Sequence, residues 1–84
     1  MNTTTPDAQA TAIAANLDVL RLRLNIAAEL VSEACAAMAA GHQNQAIGTI
    51  CDLEQGLPEC DALLRATLVL HRMRSLNVQE GGAP

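Results

Sequence analysis

The chain has 84 residues, half of them apolar and none aromatic. That length holds one domain at most, and a core of Leu, Ile, Val, Met and Ala suits close helix packing better than a sheet. Five arginines against nine carboxylates give a formal net charge of −4, which with the missing stacking rings argues against nucleic acid as the partner.

Met1 to Pro6 are polar and uncharged, so no secretory leader is expected. No apolar run approaches the ~20 residues needed to span a bilayer. The three cysteines, Cys35, Cys51 and Cys60, are odd in number and lack a CxxC spacing. They read as reduced packing residues inside helices, in keeping with a cytoplasmic location.

In chain order, residues 1–5 are expected as a flexible tail. Thr5, Pro6 and Asp7 are helix-start signals: a capping hydroxyl, a proline at the first helical position and an acid in the first turn. Helix one is expected from there to about Ala40. Ile13, Leu17, Leu20, Leu24, Ala27, Val31, Ala34 and Met38 recur along it at spacings of three and four, the mark of an apolar helix stripe. Gly41 is expected to end the helix in the left-handed conformation, and Asn44 to cap the next one.

Helix two is expected from about Gln43–Gln45 to Arg74–Leu76, with the stripe Ala46, Ile50, Leu53, Leu57, Cys60, Leu64, Thr67/Leu68 and His71. Pro58 interrupts it. A proline lacks the backbone donor and crowds the preceding turn, so the helix is either kinked or broken there. The stripe stays in phase across it, which favours a kink on the outward face. Residues 77–84 hold Gly81, Gly82 and Pro84 and are expected as a second flexible tail. The fold class is therefore an all-α antiparallel hairpin over residues 6–76. A turn centred near His42 pairs Met38 with Ala46, Val31 with Leu53, Ala27 with Leu57 and Ile13 with His71.

Each helix carries a second apolar row. Val19, Leu22, Ile26 and Leu30 form one; Leu63, Ala66, Leu70 and Met73 form the other. A helix this apolar around its circumference is expected to be covered on more than one side. The expected solutions are a homodimer forming a four-helix bundle or the helix of another protein laid on these rows. Asn16 and Arg23 interrupt this side, either reaching the rim or fixing register.

All five cations, Arg21, Arg23, Arg65, Arg72 and Arg74, lie in the half away from the turn. They read as a solvated surface complementing a helix dipole, or as an end that grips an acidic protein or a phosphate. Asp61 and Arg65 are spaced for a helix-surface pair. Cys60 and His71 are three turns apart, too far to share a metal unaided. No Gly-rich phosphate loop, HExxH or nucleophile elbow is present, so no enzyme, cofactor, metal or small-molecule substrate is expected.

Two resemblances attach to short stretches. Leu20-Arg21-Leu22-Arg23-Leu24, Ala28-Glu29, Gly41 and a Gln-containing start to the second helix resemble the small hairpin co-chaperones of type III secretion needle subunits, over Leu20 to Leu70. That resemblance implies two antiparallel helices packed against a helical-repeat chaperone. The chain departs from it by lacking an aromatic residue early in the second helix. Gly41-His42, Ala46-Ile47-Gly48 and Leu53 are similar to a family of small helical proteins of pseudomonads, which implies no activity. No functional residue is carried over from either.

The function expected from the residues is noncatalytic: an adaptor, co-chaperone or small regulator working through apolar helix faces. Val19, Leu22, Arg23, Ile26, Leu30, Leu63, Ala66, Leu70 and Met73 would make the contact. The alternative is an inhibitor or regulator that uses Arg21, Arg65, Arg72 and Arg74 on an acidic or phosphate-bearing target.

Overall fold

Three helices form a long antiparallel hairpin: α1 (Thr4–Ala39), α2 (Gln43–Ile50) and α3 (Leu53–Gly82). A computed structural model describes the backbone of residues 4–82 and the surroundings of the side chains of residues 8–73. Among the described residues all regular structure is helical. The first helix starts slightly before the Pro6 read from the sequence, and the last runs on past Leu76 to Gly82. The capping role read for Thr5 falls on a side chain outside the described ones.

The turn is built by Gly41, as its sequence position requires. Its φ is +84°, a conformation that costs an L side chain but not glycine. Its amide donates to the Met38 carbonyl at 2.9 Å, and the His42 amide reaches back to Ala37 at 2.8 Å. These two bonds satisfy carbonyls that the end of α1 would leave bare, the 5→2 and 6→1 pattern of a glycine-terminated helix. The next helix starts at once: His42 is its N-cap, with no side-chain capping bond, and the Ala46 amide donates to the His42 carbonyl at 3.0 Å. Asn44, read as the cap, lies inside α2 instead.

The interruption of the second arm does not fall at Pro58. That residue sits inside α3, and the bend lies upstream at Cys51–Asp52. There the Glu54 amide donates to Cys51 at 3.1 Å and the Gln55 amide to Asp52 at 3.2 Å, three residues back rather than four. The Gly56 amide recovers the four-residue bond to Asp52 at 2.9 Å. Cys51 keeps helical dihedrals of −54° and −38°, so the arm bends without a loop. Pro58 has no amide to donate to the Glu54 carbonyl, and the helix continues through it.

The seam between the arms uses half of each expected stripe. Ile13, Leu20, Ala27 and Ala34 face the second arm, but their companions are Asn16, Leu30 and Ala37 rather than Leu17, Leu24, Val31 and Met38. Opposite them lie Ala46, Leu53, Cys60 and Thr67, with Thr49, Gly56, Leu63 and Leu70 in place of Leu57, Leu64 and His71. Ile50 packs on the small cluster of Ala34, Ala37 and Ala46 beside the turn. The reason is size. Ala34, Ala37, Ala46, Gly56 and Cys60 let the axes approach closely, and the tight Gly41 turn demands that approach. Leu17, Leu24, Val31, Met38, Leu57 and Leu64 are rotated to the flanks.

The register shifts accordingly. Ala27 borders Gly56 instead of facing Leu57. The buried Thr67 hydroxyl donates to the Leu63 carbonyl at 2.8 Å, and at the open end Gln9 Nε2 donates to the Leu70 carbonyl at 2.9 Å. Of the three cysteines only Cys60 is a packing residue; Cys35 and Cys51 are exposed.

Candidate interaction surfaces

Rotating large side chains out of the seam gives the hairpin two apolar faces, one on each side. Thirteen large hydrophobic residues among those described are 41–59 % exposed. Scattered exposed apolar residues are ordinary, whereas contiguous rows of them mark contact sites.

The first face is the larger. It is made by Leu17, Leu24, Val31 and Met38 of α1, which follow one another at seven-residue intervals, and by Leu57 and Leu64 of α3 at the same interval. Ile47 and Leu68 extend it. The two arms meet on this side in an apolar groove of about 400 Å³, where Val31, Cys35 and Met38 stand across from Ile47 and Ile50. The helical period brings charged residues to its borders, among them Arg21, Glu54 and Asp61.

The second face carries Val19, Leu22, Ile26, Val69 and Met73. Ala66 is exposed between them. Its turn-side half is charged. A pocket of about 190 Å³ is lined there by Arg23, Ile26, Leu30 and Asp52, and Arg23 forms an ion pair across the seam with Glu59. That pair joins residues 36 apart in sequence and marks the register of the hairpin.

The sequence-predicted contact residues therefore divide. Val19, Leu22, Ile26, Ala66 and Met73 lie exposed on the second face. Leu30, Leu63 and Leu70 are half-buried in the hairpin seam. Arg23 is engaged with Glu59. The first face was missed because its residues look like seam residues: from the column Ile13, Leu20, Ala27 and Ala34, a step of four lands on Leu17, Leu24, Val31 and Met38 and a step of three on a mixed set. The signal lay in that mixed set, where Arg23 and Glu59 can pair only if the step of three faces the other arm.

The arginines are mostly occupied. Arg21 reaches Asp18 at 3.2 Å and Arg65 reaches Asp61 at 2.8 Å. The hydrogen bond to Asp61, then its charge, raises the Arg65 guanidinium above its ordinary pKa. Such exposed pairs are worth little to stability, yet they engage cations that an acidic partner would need. Arg72 is exposed, and the Arg74 side chain lies outside the described ones. His42 and His71 are exposed; His71, read as a seam residue, stands outside it. Among the described residues no three of His, Cys, Asp or Glu are placed to hold a metal ion, and no helix is long and apolar enough to cross a membrane.

No protein-family model, no curated protein and no solved structure matches this chain.

Proposed function

We propose that this chain is a noncatalytic protein–protein interaction module, an adaptor, co-chaperone or small regulator that works through its apolar helix faces and assembles into a four-helix bundle. The observation that carries this reading is the imbalance between exposed and buried apolar side chains among the described residues. Thirteen large apolar side chains stand exposed, while no large side chain among the described residues is fully buried. A module of this kind gains its stability on association, because each large apolar side chain removed from water contributes about 1.5–3 kcal/mol before the cost of association is subtracted.

The Val19–Leu22–Ile26 row with Ala66 and Met73 is the surface offered to a helical partner. Its charged turn-side border, with Arg23, Glu59 and Asp52, supplies orientation rather than affinity. Affinity capture with the wild-type chain and with Ile26→Asp tests this. The expected result is a discrete bound protein that the variant loses while its far-ultraviolet circular dichroism stays helical. A partner retained equally by both, or none retained by either, counts against the reading.

A further inference from the structure

We propose that the larger apolar face is where a second copy of this chain docks, and that the two copies lie with their turns at the same end. The inference rests on the reading above and deepens it by naming the occupant, the face and the polarity.

Area identifies the need. The chain exposes 6225 Å², whereas a folded monomer of 8.8 kDa is expected to expose about 4,800 Å². The surplus, roughly 1,400 Å² per copy, exceeds the roughly 800 Å² per partner that a stable interface buries. The radius of gyration of 19.2 Å points the same way, since about 12 Å is usual for this length.

The pattern on the face identifies the occupant. In the register marked by Arg23 and Glu59, Leu17 stands level with Leu64, Leu24 with Leu57, and Val31 with Ile50. A two-fold axis along the hairpin lays α1 of one copy on the second arm of the other without any change of height. The same three level pairs then recur between copies, twice over, and a self-complementary face is what a two-fold contact requires.

The bordering charges decide the polarity. With the turns at one end, Arg21 of each copy comes level with Asp61 of the other, where each shares or exchanges its partner within the chain, Asp18 or Arg65, and Glu54 comes level with Ala28. With the turns at opposite ends, the heights reflect about Leu57. Asp61 then meets Glu54 of the second copy, two like charges, and Arg21 meets the uncharged Ala28. The remaining turn-half carboxylates, Glu29, Glu33, Asp52 and Glu59, are carried on other columns of the helices, about a helix diameter from the contact (~10 Å). At physiological salt that distance is screened.

Light scattering over a concentration series, combined with a spin-label distance, tests the proposal. The label is placed at Gln43→Cys in a chain carrying Cys35→Ser and Cys51→Ser, with the buried Cys60 left in place. The expected result is a dimer whose two labels lie about 20 Å apart, two helix layers at the turn end. A dimer with labels about 40 Å apart or more overturns the polarity while leaving the interaction module standing. Leu24→Asp and Leu57→Asp are each expected to give a helical monomer. A dimer that survives both and is lost with Ile26→Asp overturns the choice of face. A wild-type monomer at every concentration overturns the second copy as occupant, and the proposed function is then judged by capture alone. Arg21→Glu is expected to weaken the dimer about tenfold, and adding Asp61→Arg to restore it. The Arg21–Asp18 and Arg65–Asp61 pairs within one copy stay broken in the double variant, so recovery reports on pairing between copies. Failure to recover overturns the Arg21–Asp61 contact.

Discussion

Gly41 concentrates more structural consequence than any other residue of the chain. Its left-handed φ of +84° turns the backbone so that the Ala46 side can meet Ala34 and Ala37, and no atom crowds the place where a side chain would sit. The cost of replacing it is therefore conformational rather than steric. Gly41→Ala is expected to destabilise the hairpin by about 1 kcal/mol, read as a lowered urea midpoint with an unchanged slope. No loss of stability would mean that the turn re-forms around another residue. Arg23 shows the converse economy: a charged residue in an apolar stripe is tolerated because Glu59 stands across the seam to receive it.

Within the second arm, the bend and the proline are separate in position. Pro58 leaves the Glu54 carbonyl without its helical donor, and the amides of Glu54 and Gln55 tighten onto Cys51 and Asp52. Pro58→Ala restores the missing donor in a helix interior. It is expected to raise stability by about 1–3 kcal/mol and to lengthen the second arm towards one continuous helix, measured by thermal unfolding and circular dichroism. A drop in stability would mean that the bend is needed to close the seam beyond it. Much at this scale was legible in the residues. The 3-and-4 spacing specified two helical arms, Gly41 placed the turn, and the spacing of Asp61 and Arg65 specified their ion pair. The choice between the leucine column and the mixed column was not legible from spacing alone. Both steps complete a helical repeat, and the outcome depends on how closely the backbones must approach at Ala34, Ala37, Ala46 and Gly56. The site of the bend was hidden because proline marks where a bond is missing, while Cys51 and Asp52, where the arm bends, carry no such mark.

The molecule as a whole measures 66 × 20 × 15 Å, two helices wide and one thick. Its tightest packing lies beside the turn, where Ala34, Ala37 and Ala46 form the buried cluster, and at Cys60 and Thr67 in the second arm. Towards the open end the seam relies on half-buried Ile13, Asn16 and Leu70 and on the bond from Gln9 to the Leu70 carbonyl. Opening is therefore expected to begin there. Native-state hydrogen exchange should show α1 amides near Ala34 and Ala37 protected most and those before Ile13 least, in a graded series. Equal protection along α1 would instead indicate a single cooperative unit.

The Gln9–Leu70 bridge also determines how the molecule would carry a load. Both long helices end on the side away from Gly41, so tension between those ends pulls the arms apart at the bridge and then loads one level of the seam at a time. Nothing shears in parallel, and the half-buried side chains along that path are separated one level at a time. A hairpin tethered by its ends would unzip under weak force and close again from its turn. Tethered instead through a flank, it would transmit the same force lengthwise through intact helices. The direction of attachment would thus decide whether it serves as a release or as a strut.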